Sequence, residues 1–226
     1  MKGLFFDNLH SYNDFSLILT SKEIGSPEVK TEYVDVLGAD GLLDLTEAFG
    51  DVKFKNRTLS FTFSTIESGI DWTVAYTNVL NKLHGLIKKI TLDDDPKYYY
   101  LGRVKVSPYK SNKRVGTIVI EVDCEPYKYK QNKTIISNVV ENSLTLVFYN
   151  GRRKVIPKFT TSAKVEIIHN GNTYNIEGPG TFTLSNIIFV EGMNTLTFNG
   201  SATVTVEYQE GDLWCSIKLN VMEIYY

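Results

Sequence analysis

The sequence predicts a mainly β protein in two parts, an α+β N-terminal domain with one long helix followed by a C-terminal β-sandwich. Three observations lead there. Short runs alternate apolar and polar residues along most of the chain, the period of a strand with one dry face. Leu59, Phe61 and Phe63 set against Thr58, Ser60 and Thr62 are the clearest case. The 14 tyrosines and 12 phenylalanines among 226 residues suit pleated, half-buried surfaces. Only Asp71 to Ile90 repeats its apolar residues at helical spacing, through Trp72, Tyr76, Val79, Leu80, Leu83, Ile87 and Ile90.

Composition bounds the rest. At 42% hydrophobic residues the chain can build one large or two modest cores. Charge is balanced on both sides of Lys130: residues 1–130 carry 17 Lys/Arg and 18 Asp/Glu, and residues 131–226 carry 7 and 8. A basic nucleic-acid footprint concentrates positive charge in one part, so none is expected. No apolar run approaches the roughly 20 residues of a membrane span. The opening MKGLFFDNLHSYNDF holds acidic residues and no small-residue cleavage site, so it does not read as a signal peptide, and folding in a cytosol is expected.

In chain order, Gly3–Thr20 reads as strand, with Leu17 and Leu19 alternating, and Ser21–Pro27 as a turn. The stretch Tyr33–Phe63 begins and ends as strand. Val52 and Phe54 have the opposite parity to Leu59, Phe61 and Phe63, which places a bulge or break at Asn56–Arg57. Between the strands, Gly38, Asp40-Gly41 and Gly50 punctuate an excursion. Its Leu37, Leu42, Leu43, Leu45 and Phe49 are too apolar for a solvated loop of a monomer. Two readings are open: these side chains fold onto the chain's own core, or a neighbouring subunit covers them. On the second reading the interface comprises Leu37, Gly38, Asp40, Gly41, Leu42, Leu43, Leu45 and Phe49, an apolar contact that charge need not drive.

The predicted helix 71–90 has Asp71 at its positive end and Lys88 with Lys89 at its negative end. Gly85 inside it costs about 1 kcal/mol relative to alanine, for which close backbone approach is the simplest reason. Tyr98–Val106 and Arg114–Cys124 then form two strands around the polar SPYKSNK. Pro126 ends the second, and YKYKQNKT reads as a linker, giving domains 1–133 and 134–226. Beyond it, turn dipeptides such as Asn150-Gly151, Asn170-Gly171 and Asn199-Gly200 divide short strands without helices, the pattern of a sandwich. Trp214–Tyr226 reads as a further strand that completes the sheet of either domain.

Catalytic chemistry finds no support. There is no G-x-S-x-G elbow, phosphate loop or dinucleotide fingerprint, so no enzyme and no cofactor are expected. Asp93, Asp94 and Asp95 lack the alternate spacing and glycine turn of a calcium loop and read as a helix exit into a strand. His10, His84 and His169 stand without neighbours at metal-ligand spacing, so no metal is expected. Cys124 and Cys215 lie on apolar strand faces and read as buried thiols. Tyr174, Phe182, Phe189, Phe198, Tyr208 and Trp214 are core or a sugar-stacking face. On the latter reading Tyr174, Tyr208 and Trp214 are the candidate sugar or partner contacts.

Four patches in order resemble the distal tail proteins (Dit) of phages with long non-contractile tails, prophage copies included. They are Gly38-Ala39-Asp40-Gly41-Leu42-Leu43-Asp44 with Arg57-Thr58-Leu59-Ser60-Phe61; Leu83-His84-Gly85 with Leu92-Asp93-Asp94-Asp95-Pro96 and Tyr98-Tyr99-Tyr100-Leu101-Gly102-Arg103; Val122-Asp123-Cys124-Glu125-Pro126-Tyr127; and Asn150-Gly151 with Pro157, Glu191-Gly192-Met193-Asn194 and Tyr208-Gln209-Glu210-Gly211. The resemblance implies a homo-hexameric ring at the distal end of the tail tube. In it the N-terminal domain forms the ring and a galectin-like C-terminal sandwich faces outward. Its implied partners are the tail tube protein, a tail-associated hub protein and the receptor-binding protein, with DNA passing through the lumen without sequence-specific binding. It implies a virion tail tip made in the bacterial cytoplasm and carries over no catalytic residue. The chain departs from the family in lacking long carbohydrate-binding insertions and in running on past Gly211. The alternative from another class is a carbohydrate-binding protein that grips a cell-wall polymer with its sandwich.

Overall fold

The computed structural model describes residues 3–48, 50–64, 72–108, 110–111 and 116–213. The chain divides into two units, residues 1–126 and 127–226.

In the first unit the strands are β1 (Leu4–Phe6), β2 (Leu9–His10), β3 (Ile18–Ile24), β4 (Tyr33–Asp35), β5 (Leu42–Asp44) and β6 (Arg57–Ser64). Helix α1 (Trp72–Leu83) follows, then β7 (Ile87–Leu92), β8 (Tyr98–Val106), β9 (Lys110–Ser111) and β10 (Gly116–Lys130). The sheet runs β2-β1-β7-β8-β10-β6-β3, with β9 on β10. Alternation sets its two faces, as the sequence pattern requires. Leu59, Phe61 and Phe63 of β6 meet Val122, Ile120 and Ile118 of β10 in register, and all six are fully buried. Leu4, Phe6, Ile90, Leu92 and Val104 complete that face, against which α1 lays Val79 and Leu83. Thr58, Glu121, Asp123, Arg103 and Lys105 alternate onto the opposite face.

The helix is shorter than predicted. It ends at Leu83, and Ile87–Leu92 is a strand paired with both β1 and β8. Gly85 ends it: the residue takes φ +76°, a left-handed conformation suited to glycine at a helix C-terminus, and its N–H turns to Val104 O at 2.8 Å. A Cβ there meets nothing within 4 Å, so positive φ and not close approach is the reason for glycine. Ile87 and Ile90 fit the helical stripe only by coincidence of spacing, since Ile90 is buried as a strand residue and Ile87 is 57% exposed. Lys82, not Lys88 or Lys89, occupies the last turn, and Asp71 lies outside the described residues. The acidic triplet is consequently a turn between two strands and not a helix exit.

Two further expectations are corrected. Ser21–Ile24 continues β3 past a bulge at Thr20, because Lys22 and Ile24 register with Phe61 and Leu59. Tyr127–Lys130 is strand and not linker, with Lys128 only 2% exposed. The ladder with β6 has already ended at the rung Cys124–Arg57, so the missing N–H of Pro126 costs no rung with β6. The division therefore falls after Pro126 and not after Lys133.

The second unit is a sandwich. Its strands are β11 (Thr134–Val140), β12 (Ser143–Asn150), β13 (Lys158–Thr161), β14 (Val165–His169), β15 (Asn172–Ile176), β16 (Gly180–Thr183), β17 (Gly192–Gly200), β18 (Ala202–Tyr208) and β19 (Gly211–Asp212). Two antiparallel four-stranded sheets, β11-β18-β13-β16 and β12-β17-β14-β15, enclose Phe148, Phe159, Ile167, Phe189, Phe198 and Val206, all fully buried. Asn170 and Gly171, at φ +50° and +76°, make the tight turn between β14 and β15 that the dipeptide predicts. β19 pairs with Lys128 and Tyr129, and Lys130 forms an ion pair with the buried Glu210. No helix among the described residues is long and apolar enough to cross a membrane.

Candidate functional site

The excursion between β3 and β6 is a projecting hairpin arm. Beyond the sheet the two chain segments keep pairing: Gly25 N–H donates to Thr58 O (3.0 Å), Lys55 N–H to Glu28 O (2.8 Å), Lys30 N–H to Lys53 O (2.8 Å) and Leu45 N–H to Glu32 O (2.8 Å). Val29 bridges Phe54, which stands before the predicted break at Asn56. β4 and β5 then pair as Tyr33 with Asp44, Val34 with Leu43 and Asp35 with Leu42. Glycines at φ +88° (Gly38) and +77° (Gly41) flank the tip. At about 3.3 Å per extended residue, the run from Gly25 to Gly38 reaches roughly 40 Å.

Register sorts the arm's side chains. Val34, Val36, Leu43 and Leu45 share one face, while Tyr33, Asp35, Leu42 and Asp44 share the other. Neither face is covered by the described residues. Leu37 is wholly exposed (104%), Leu42 is 63% exposed and Leu43 and Tyr33 are each 53% exposed, while Leu45 is half-buried. Gly38, Asp40 and Gly41 are exposed too, and Phe49 lies outside the described residues. The own-core reading of the excursion therefore fails for Leu37, Leu42 and Leu43, which belong to neither hydrophobic core.

The arm is anchored where it leaves the sheet. Arg57 opens β6 with its side chain buried to 2% exposure and its guanidinium 5.6 Å from the Tyr100 ring centre. Burial lowers the guanidinium pKa from its ordinary value, an effect that the neighbouring Tyr100 and Cys124 oppose. On the other strand of the arm, a Cβ at Gly25 would stand 2.6 Å from Thr58 O, so only glycine lets the two root segments meet.

The remaining candidates have structural roles. Tyr208 is 3% exposed, donates its hydroxyl to Tyr149 O (2.5 Å) and packs edge-on against Phe148 and Phe189. It is a core residue and not a sugar contact, because its ring lies on the inner face of β18. Phe189 and Phe198 are fully buried, Tyr174 is half-buried against the same core, and Trp214 lies outside the described residues. Asp93 accepts hydrogen bonds from Gly3 N–H (2.6 Å) and His10 Nε2 (3.2 Å), and Asp94 pairs with Lys22. The triplet thus fastens the N-terminus and β3. His84 Nδ1 accepts from Val106 N–H (3.0 Å). No group of three or more His, Cys, Asp or Glu residues that could hold a metal occurs among the described residues. Cys124 is buried and unbridged, with burial foremost, and then Asp123, pushing its thiol up to about 12. Cys215 lies outside the described residues.

Sequence reasoning found the arm by its apolar content but missed its charge. From Glu32 to Asp51 the chain carries six carboxylates and no Lys, Arg or His, and all six residues are exposed. That signal was readable from a local charge count, which the balanced total conceals.

No family model matches the chain, and no curated protein matches it. Among solved structures the fold has a counterpart. The chain is similar to the SPP1 Dit (gp 19.1) protein, described as a paradigm of hub adsorption apparatus in phages infecting Gram-positive hosts, with a TM-score of 0.69 over 92% of this chain and 99% of that one at 13% identity.

Proposed function

We propose that this chain is a structural hub protein of a phage tail tip. Six copies close a ring at the distal end of the tail tube, each lending its arm to the next, and the sandwich anchors the host-recognition proteins. DNA passes through the lumen without sequence-specific contact. The work is geometric, with no catalytic group. The carrying observation is an arm that exposes Leu37, Leu42 and Leu43 within a fold that follows SPP1 Dit over nearly its whole length. Covering several hundred Å² of such surface at about 25 cal/mol per Å² favours association by several kcal/mol. An arm received by a different surface of the next copy is a head-to-tail contact, which closes into a ring when the rotation allows.

Light scattering behind size exclusion, at micromolar concentration, tests the proposal. The expected mass is six times the 25.6 kDa subunit, or twelve times if two rings stack, with a central hole in negative-stain images. A monomer at every concentration refutes it. The carbohydrate-binding alternative gains no support, since Tyr208 is enclosed in the core.

A further inference from the structure

Six exposed carboxylates and six exposed apolar side chains on one arm define what must receive it: an apolar surface edged with positive charge. The first unit carries such a surface on the side of its sheet away from α1. There Ile87 of β7 stands in register with Arg103 of β8, and Lys89 with Leu101. Ile87 is 57% exposed, a large value for an aliphatic residue at a sheet. Lys89, Arg103 and Lys105 alternate onto this same face, all exposed, and neither β7 nor β8 contributes a carboxylate to it. The Asp93–Asp95 turn lies at the far end of the hairpin. Beside this face opens a cleft of about 500 Å³, walled by His84, Gly85, Arg103 and Lys105 on one side and Thr58, Glu121 and Asp123 on the other. Lys105 approaches Glu121 at 3.5 Å, Arg103 donates to Gly85 O at 2.6 Å and the Lys89 ammonium lies 4.6 Å from the Tyr99 ring centre, so three exposed cations edge the face beside Glu121 and Asp123 of the cleft.

We propose that the outer face of β7–β8, centred on Ile87, Lys89, Leu101 and Arg103, receives the acidic arm of a second copy of this chain. This rests on the arm-exchange reading given above and adds the surface that reads the arm. Tyr33 and Leu42 seat on Ile87 and Leu101, while Asp35 and Asp44 of that same arm face, with Asp40 at the tip, approach Lys89, Arg103 and Lys105. Complementary charge of this kind fixes register and speeds encounter more than it adds affinity. The arm leaves from the β3–β6 edge and its receiver lies across the same sheet, so donor and receiver are different surfaces. Assembly should therefore depend on salt, contrary to the charge-independent contact expected from the apolar residues alone. Raising salt from 0.05 to 0.5 M cuts the Debye length from about 14 Å to about 4 Å and should move the assembly midpoint roughly tenfold upward in concentration.

Two charge-reversed full-length chains test the proposal: an arm variant (Asp35→Lys, Asp40→Lys) and a receiver variant (Lys89→Glu, Lys105→Glu). Each alone should be monomeric with an unchanged circular dichroism melt. Mixed in equal amounts they should assemble, because an alternating ring matches reversed arm to reversed receiver and native arm to native receiver. Wild-type assembly with both variants still assembling alone overturns the receiver while leaving the arm reading intact. A monomeric wild type overturns the arm reading itself. Should a variant fail to fold, carbodiimide cross-linking of a mixture of isotopically light and heavy wild-type chains gives the answer directly. Intermolecular links between Lys89 or Lys105 and Asp35, Asp40 or Asp44 support the receiver, and arm links that go instead to Lys154 or Lys158 of the sandwich overturn it.

Discussion

Replacing Leu42 and Leu43 with aspartate separates the arm's role in its own subunit from its role in the next. Both side chains are more than half exposed in the single chain, so the subunit loses little. The cross-strand pair of Leu43 with Val34 is the main contact removed, and such pairs contribute about 0.2–1 kcal/mol. At a covered interface, burying a leucine contributes about 1.5–3 kcal/mol, and because Leu42 and Leu43 lie on opposite faces the double variant removes about that much whichever face docks. That corresponds to roughly 10–10²-fold weaker association at each arm, and burying an unpaired carboxylate deepens the loss. Light scattering should show the oligomer replaced by monomer at concentrations where the wild type is fully assembled. The far-UV spectrum and the cooperativity of the melt should not change. Retention of full mass by a folded double variant refutes the arm as the interface. Unfolding of the subunit refutes its exposure, and Asp40→Lys at the more polar tip then becomes the variant of choice.

Gly85→Ala places a Cβ on a residue at φ +76° and should cost about 1–2 kcal/mol, read as a lower thermal midpoint, whereas Gly85→Asn should cost less. Cys124 should label slowly in the native chain, and denatured protein should yield two thiols. Its thiol pKa is raised from an ordinary value near 9 to about 12, so between those pH values the unfolded chain releases a proton that the folded chain keeps. Stability should therefore fall as pH rises through that window, and Cys124→Ala should flatten the fall in alkaline melts. A fragment of residues 127–226 should fold as a monomer, keeping the β10–β19 rungs and the Lys130–Glu210 pair. A fragment of residues 134–226 leaves the buried Glu210 without its ammonium and should melt lower by an amount equivalent to about 3–5 kcal/mol; equal midpoints refute the boundary at Tyr127.

What the sequence revealed follows the range of the forces involved. Strand alternation at Leu59–Phe63 and the Asn170-Gly171 turn are local matters of parity and φ, and both stand where predicted. The helix boundary went astray because Leu83, Ile87 and Ile90 satisfy a helical stripe while Ile90 and Leu92 also satisfy a strand, and periodicity cannot choose between them in a short apolar run. Pairing of Ile87–Leu92 with β1 and β8 decided it, through partners up to 88 residues distant in sequence that no window sees. Pro126 misled for a related reason, since its cost depends on whether a rung exists beside it. Tyr208 shows the same gap at the candidate site. An aromatic residue on a strand reads equally as core or as ligand platform until the sheet's inner face is known.

On the arm-exchange proposal, the arm's order and the assembly of the protein are coupled. A two-stranded ribbon in water is marginally stable at best, and among the described residues β4–β5 has no third strand and no covering layer. Its root is firm, held by the buried Arg57 and the close approach at Gly25, but its tip rests on a few backbone hydrogen bonds and the Val34–Leu43 pair. Docking onto a neighbour supplies the missing covering layer, so part of the association energy goes into ordering the tip. The six carboxylates suit that arrangement. Repulsion among them keeps free arms from sticking to one another through their leucines, and a basic receiver relieves it only in the correct pairing. In the proposed ring, such an arm stays apart from its copies while alone and becomes ordered when the next subunit arrives, as assembly from identical free chains requires.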